Sequence, residues 1–281
     1  MTKALPILWD WPRNMVRLAT GFLSDVADLV CPPICLACSE PLDRHGISHF
    51  YCSECCRKMI AETSECCPLC GAIGRLMPNV GDSQHTTRGC RECFQQDFRF
   101  SRTLVLGLYT ETLRSLVLGM KSDRDGILAT NMAKLFLNTH GNALRDITPD
   151  LVVPVPMHSV RRFFRGTNSP VFFAKEVGHA LDVPVGTRIV RRIRYTKPQF
   201  HLKPRQRPRN VRGAFAFFGR KNVVAGKRVL IVDDIMTTGA TCNEVACVLR
   251  DAGAASVCVA VFASAMGKLY PLDQNEKPID A

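Results

Sequence analysis

Residues 228–241 read RVLIVDDIMTTGAT, and no other stretch of this chain holds as much chemistry in so few positions. Val229 to Val232 is wholly apolar, β-branched or aliphatic, as a buried parallel strand requires. Two acids follow, Asp233 and Asp234. Thr237, Thr238, Gly239, Ala240 and Thr241 then lead into a helix-like run over 242–251. A strand, a short turn of small and hydroxylic residues, and a helix start together form a phosphate cradle. Backbone N–H groups converge there, the helix dipole favours an anion, and hydroxyls add donors. Gly239 lets the backbone approach closely. The two acids would repel that phosphate, so they are expected to face hydroxyls or a metal-bound ligand. A sugar phosphate satisfies both demands, with its phosphate on the loop and its diol on the acids. A plain helix cap would account for one Thr but not for the acid pair and the loop.

The second concentration of chemistry is cysteine. Of 14 Cys, 11 lie between Cys31 and Cys93. Four C-x-x-C pairs stand out: Cys35/Cys38, Cys52/Cys55, Cys67/Cys70 and Cys90/Cys93. A two-residue gap lets both sulfurs turn to one ion, and two pairs make a tetrahedral four-thiolate zinc site. In chain order the first two pairs form one site and the last two a second, a double zinc ribbon. The spacers of 13 and 19 residues are short enough for a hairpin to bring the pairs together. Both sites are closed by thiolate, so the zinc is expected to be structural. Cys56 and Cys66 adjoin ligands, and His45, His49 and His85 stand nearby, but the two-residue gap selects Cys55 and Cys67. A disulfide framework would need an oxidising compartment. Asp10 and Pro12 interrupt the N-terminal apolar run, so no export signal is read and the expected location is cytoplasmic. A redox dithiol would be one pair in a βαβ unit, not four in series.

The formal charge is +12, and it is local. Residues 151–220 hold 15 Lys/Arg against only Glu176 and Asp182, which is +13, so the rest of the chain is near neutral. Arg161, Arg162 and Arg165 follow a strand-like run. Arg205, Arg207 and Arg209 alternate around Pro204 and Pro208, which predicts three guanidiniums on one side of an extended loop. Such cations suit a diphosphate accompanied by Mg²⁺. A second reading competes within the same segment. Arg191, Arg192, Arg194, Tyr195, Phe200 and His201 interleave cations with rings, a composition suited to single-stranded nucleic acid.

These residues need a frame. Alternating strand-like and helix-like runs from about residue 103 predict an α/β domain with a parallel sheet. Strands are expected at 103–109, 151–155, 228–232 and 256–262, and helices at 111–121, 126–139, 169–181 and 240–252. Residues 1–30 carry an amphipathic helix: Met15, Ala19, Phe22, Val26 and Leu29 recur at helical spacing, and a mixed-sign polar face suits packing on its own domain rather than a membrane. Boundaries are expected at 31–97 for the zinc ribbons, 98–267 for the α/β domain and 268–281 for a tail. No uninterrupted apolar run reaches the roughly 18 residues of a transmembrane helix.

Four pieces together resemble the ComF family, a zinc-binding module joined to a type I phosphoribosyltransferase-like domain. They are the cysteine pairs; Val153-Pro154-Val155-Pro156 with Arg161, Arg162, Arg165 and Gly166; Thr196 to Gln199 running on to Asn210 to Phe215; and the acid-pair loop. The resemblance covers roughly residues 31–265. It implies that Asp233 and Asp234 meet ribose hydroxyls of phosphoribosyl pyrophosphate and that Thr237, Thr238, Gly239, Ala240 and Thr241 hold its 5′-phosphate. It further implies that the loop after Pro154, Val155 and Pro156 meets pyrophosphate, with Mg²⁺ bridging pyrophosphate and ribose oxygens. Arg205, Arg207 and Arg209 would belong to a covering loop, and Lys121 falls where the family has a Lys after an amphipathic helix. The chain departs from the family at Arg165-Gly166-Thr167-Asn168-Ser169, where Phe-Asn-Gln commonly follows the Gly. Two functions follow from the resemblance. One is transfer of phosphoribosyl to a nitrogen nucleophile, a pentosyl transfer. The alternative is a non-catalytic module with the same pocket, acting on single-stranded DNA with DNA-uptake proteins during natural transformation.

Overall fold

The computed structural model describes residues 32–42, 50–60, 66–73, 90, 93, 96–157, 168–196 and 202–266. The expected helix within 1–30 and the tail at 268–281 lie outside the described residues. The chain divides into two compact units, Met1–Ser53 and Glu54–Ala281.

In the first unit the described backbone is a tight knuckle. Cys35 N–H donates to the Glu40 carbonyl at 2.8 Å, Ser39 N–H donates to the Cys35 carbonyl at 2.8 Å, and Ile34 pairs with Pro41. The second unit repeats this turn. Cys67 N–H donates to the Ala72 carbonyl and Gly71 N–H to the Cys67 carbonyl, both at 2.8 Å, and Cys66 pairs with Ile73. Each turn needs a left-handed residue just after its second Cys. Gly71 supplies it at φ 67°, while the first knuckle uses Ser39 at φ 64°. A short helix, α1 (Ser53–Met59), carries Cys55.

The rest of the second unit is an α/β domain. Strands β1 (Arg102–Leu108), β2 (Leu151–Pro154), β5 (Arg228–Met236) and β6 (Ser256–Ser264) form a four-stranded sheet in the order β1-β6-β5-β2. Every pairing in it is parallel. Period-two alternation sends neighbouring residues of each strand to opposite faces. On one face Val153, Val229, Ile231 and Val259 pack with Val245 and Leu249 of α6 (Ala240–Asp251). The other face takes α3 (Ile127–Ile147) and α4 (Ser169–Leu181), which pack on each other. There Phe173 stacks on Phe262 at 4.1 Å between ring centroids and meets the edge of Phe136 at 4.9 Å. The helix α2 (Glu111–Gly119) follows β1 and buries Leu113, Leu116 and Val117. Outside the main sheet, β3 (Val190–Arg192) and β4 (Phe215–Phe217) form an antiparallel pair, and α5 (Arg207–Val211) lies between them in sequence.

The expected parallel sheet and its four strands are present. β5 is longer than expected, because Asp233, Ile235 and Met236 find partners in Val261, Ala263 and Ser264 of β6. α3 also runs on, through Gly141 to Ile147, where burial of Leu144 and a His140 bond to the Val105 carbonyl at 2.9 Å offset the glycine. Among the described residues no helix is long and apolar enough to cross a membrane.

Candidate functional site: the acid-pair loop and two cysteine groups

All four strands of the main sheet point the same way, so the loops after β2 and β5 emerge side by side. Ligands in open α/β sheets gather at such carboxyl ends. Pro154 stands opposite Val232, and Val155 N–H donates to the Val232 carbonyl at 2.9 Å. This register brings Pro154, Val155 and Pro156 to the level of Asp233. Arg162 and Arg165 lie outside the described residues. Asn168 is the N-cap of α4, with extended backbone and Pro170 in the first turn, so the polar helix start persists through the family departure.

The acids are not equivalent. Asp233 is buried at 9% exposure, on the α6 face, with the Cys242 thiol 3.9 Å from Oδ2. Asp234 is half-buried and, by strand alternation, on the opposite face. Asp234 N–H donates to Asp233 Oδ1 at 2.9 Å, and Ile235 N–H donates to Asp234 Oδ1 at 2.8 Å. Burial pushes the Asp233 carboxyl well above the usual carboxylate range, and the Asp234 charge adds to the rise. The Asp234 N–H and the positive charge of Arg192 work against it. Acids held in this way suit a diol or a divalent cation, either of which would relieve the repulsion between them.

Thr237, Thr238 and Gly239 make the turn, and α6 starts at Ala240 and Thr241. Gly239 is the N-cap at φ 69°, ψ −4°, a left-handed conformation, and a Cβ there would lie 2.9 Å from the Phe98 ring. Both the turn and the close approach therefore demand glycine. Thr238 Oγ1 is buried and has no hydrogen-bond partner among the described residues. Buried hydroxyls are ordinarily satisfied, so this one points to a missing acceptor.

The basic residues sort differently from the expectation. Residues 204–206 form a 3-10 turn and 207–211 the helix α5, not an extended loop. At roughly 100° per residue, positions four apart share a face and positions two apart do not. Arg205 and Arg209 accordingly line one open cavity of about 630 Å³ with Leu202, Gln206 and Asn210. Arg207 turns away, is half-buried, and donates its Nε to the Leu202 carbonyl at 3.2 Å. Proline is tolerated in a first helical turn, which is how Pro204 and Pro208 fit here. Lys121 follows α2 and is half-buried, its N–H donating to the Leu118 carbonyl at 3.0 Å.

Three residues of the site lay beyond sequence reasoning in this role. Arg192 reaches Asp233 by its charge while its guanidinium lies over Phe215 at 5.3 Å and donates to the Thr196 hydroxyl. Phe98 lies beneath Gly239, and Asn243 bonds the same segment. Their contacts are tertiary, and no local spacing announces them.

The cysteines gather into two groups, Cys35/Cys38/Cys52/Cys55 and Cys67/Cys70/Cys90/Cys93, with the sulfurs of each within 4.8 Å of one another. Cys56 and Cys66 belong to neither. None of the described cysteines is in a disulfide. Zn–S bonds of about 2.3 Å in a tetrahedron place sulfurs ~3.8 Å apart. The separations here are 3.8 Å for Cys38–Cys52, 3.9 Å for Cys67–Cys93, 3.5 Å for Cys70–Cys90 and 3.9 Å for Cys90–Cys93. Cys52 N–H points at Cys35 Sγ and Cys90 N–H at Cys93 Sγ, each at 3.3 Å, as thiolates require. The thiols also compete for ionisation. A bond with Cys70 brings Cys67 down to about 5, while burial pushes Cys93 up to about 12. Four thiolates so close need a cation, and both groups fit zinc.

Residues 125–280 match the family described as Phosphoribosyl transferase domain. Across most of its length the chain is similar to named bacterial proteins. It is 32% identical over 232 residues to the DNA utilization protein YhgH of Salmonella typhimurium, covering 82% of this chain and 96% of that one. It is 29% identical over 222 residues to competence protein F of Haemophilus influenzae, covering 78% and 91%. The purine phosphoribosyltransferase structure from Pyrococcus horikoshii aligns over 59% of this chain and 82% of that chain, at 17% identity and a TM-score of 0.29. The chain belongs to the ComF family of proteins with a phosphoribosyl transferase domain.

Proposed function

We propose that the acid-pair loop binds phosphoribosyl pyrophosphate. The buried Thr238 hydroxyl without a partner among the described residues carries this reading, because a 5′-phosphate held by the loop would offer it an acceptor oxygen. Thr237, Gly239, Ala240 and Thr241 would complete the cradle, and Asp234, with Asp233 behind it, would take the ribose hydroxyls. Pro154, Val155, Pro156, Arg162 and Arg165 would flank the pyrophosphate, with Lys121, Arg205, Arg207 and Arg209 as further cations. Mg²⁺ would arrive with the ligand and neutralise pyrophosphate charge. Transfer would break the bond from ribose C1 to the pyrophosphate oxygen, the electron pair leaving with pyrophosphate, and form a bond from C1 to a nitrogen nucleophile that then loses a proton. The chain's part is to orient the sugar and hold the charges. The two cysteine groups would hold structural zinc in ribbons over 31–97, ahead of an α/β domain over 98–267.

Calorimetric titration with phosphoribosyl pyrophosphate and Mg²⁺, followed by pyrophosphate release with a panel of nucleobases and amines, tests both halves. Binding lost in Asp233→Asn/Asp234→Asn is expected. Binding without release under every acceptor would sink transfer and keep the pocket.

One observation favours a second role on another surface. Ile193, Tyr195 and Phe218 are exposed around the β3–β4 pair, and the Arg191 guanidinium lies over the Phe218 ring at 4.6 Å. Rings and guanidiniums together suit stacking on single-stranded DNA, in keeping with the names of the relatives. Binding should weaken steeply with salt and fall in Arg191→Ala/Phe218→Ala. An unchanged affinity in that variant would remove this surface as the DNA site.

A further inference from the structure

Segments far apart in sequence meet beneath the 237–241 loop. Phe98 lies against Gly239, where a Cβ would come within 2.9 Å of its ring, and it stacks on the buried Phe100 at 4.5 Å. One turn into α6, Asn243 grips the same segment with both ends of its amide. Its Oδ1 accepts Arg99 N–H at 2.7 Å, and its Nδ2 donates to the Asp97 carbonyl at 3.4 Å. A two-point bond of this kind fixes distance and orientation between two backbones.

That segment leads directly from the second cysteine group. Gln96 N–H donates to the Cys93 carbonyl at 2.9 Å. The other half of the group is fastened to β1. Thr103 N–H donates to the Pro68 carbonyl at 2.8 Å, and its hydroxyl donates to the Leu69 carbonyl at 2.7 Å. A Cβ on Gly71 would come within 2.4 Å of Val105 and 3.5 Å of Met236, the last residue of β5 before Thr237. The four cysteines share one buried apolar cluster with Phe100, Met236 and Cys242.

We propose that the second four-cysteine site positions the phosphate loop. Metal held by Cys67, Cys70, Cys90 and Cys93 sets the course of the 96–100 segment, and Phe98 and Asn243 transmit that course to Gly239 and the start of α6. Metal at the cysteines and anion at the loop then bind with positive linkage, each strengthening the other. The linkage rests on the reading of 237–241 as an anion loop; the positioning rests on the contacts alone.

Hydrogen exchange on the zinc-loaded full chain tests the positioning. Chelation should speed exchange of amides 237–243 by about fivefold or more while leaving α3 unchanged. With zinc still bound, Phe98→Ala and Asn243→Ala should produce the same rise, and Phe98→Tyr should restore slow exchange. Should chelation open α3 as well, the zinc-loaded variants decide. Exchange at 237–243 that ignores both variants overturns the proposal. For the reciprocal effect, saturating ribose 5-phosphate should tighten zinc affinity, read by competition with a chelator at equilibrium, by about fivefold or more in the wild type and leave it unchanged in Asn243→Ala. Ribose 5-phosphate that binds without tightening zinc affinity overturns the linkage but keeps the anion loop. Ribose 5-phosphate that does not bind removes the anion loop, and hydrogen exchange then decides the positioning by itself.

Discussion

Thr238→Val separates a ligand-binding hydroxyl from a structural one, because the two roles give opposite signs. Valine has nearly the same shape, so packing around the loop is kept. The Thr238 Oγ1 atom is buried without a partner among the described residues. Leaving such a group unsatisfied costs about 1–3 kcal/mol, toward the lower end here because the residue as a whole is only half-buried. Removing it should therefore stabilise the ligand-free protein by about 1 kcal/mol, or roughly 2–4 °C in Tm for a domain of this size. Ligand affinity should move the other way. A hydrogen bond to a charged phosphate oxygen is worth about 1.5–3 kcal/mol, so ribose 5-phosphate should bind about 10-fold to 150-fold more weakly. Thermal unfolding of the zinc-loaded protein and calorimetric titration read the two quantities on one sample. A variant that loses stability and keeps its affinity would falsify the assignment, since the hydroxyl would then be serving the fold.

Other outcomes follow from the packing. Phe173, fully buried between Phe136 and Phe262, should cost about 3–5 kcal/mol when cut to Ala, read as a lower urea midpoint. Burial holds the His140 pKa below 6.5, so the folded protein resists a proton that the unfolded chain takes up. That contribution is complete above pH 6.5 and is lost as pH falls below it, and His140→Gln should flatten the fall in urea midpoint between pH 7 and 5. Arg228 holds the Asp150 carboxyl below the usual carboxylate range, so its contribution disappears only at more acid pH, and Asp150→Asn should leave the slope above pH 5 unchanged. Ser39 stands in the left-handed conformation that its counterpart Gly71 adopts freely, and Ser39→Gly should raise the chelator concentration needed to unfold the first knuckle. Metal analysis should return about two zinc ions per chain, and a value near one would reject one cysteine group.

What the sequence disclosed was whatever has a local period or a fixed spacing. The runs that became β2, β5 and β6 are unbroken and β-branched, as strands buried on both faces must be. The two four-cysteine groups follow from the two-residue gap, with Cys55 rather than Cys56 in the first. Arg205, Arg207 and Arg209 misled, because alternation implies one face only if the backbone is extended, and Pro204 and Pro208 read equally well as loop or as helix start. β3 and β4 stayed hidden because each is only three residues long and their partnership closes over a long interval. Arg192 was read for its neighbours Arg191 and Arg194, whereas the pairing of β3 with β4 sets its guanidinium over Phe215, and its charge favours the Asp233 carboxylate. Phe98 and Asn243 had no signal at all, since a stacked ring under a glycine exists only once the chain has folded.

The rims of the main sheet have a consequence of their own. On β1 the outward N–H of Thr103 is taken by the Pro68 carbonyl and the outward carbonyl of Val105 by His140. On β2 the Val152 N–H goes to the Pro184 carbonyl at 3.0 Å, and the Val152 carbonyl receives Gly186 N–H at 2.8 Å. These four groups on the two borders are thus already taken by the chain's own backbone and side chains, two of the occupants being carbonyls of prolines. A foreign strand adding to either border of the main sheet would have to displace them, so the filled positions oppose edge-to-edge pairing there, and loosening the Pro68 or Pro184 segment would weaken that protection.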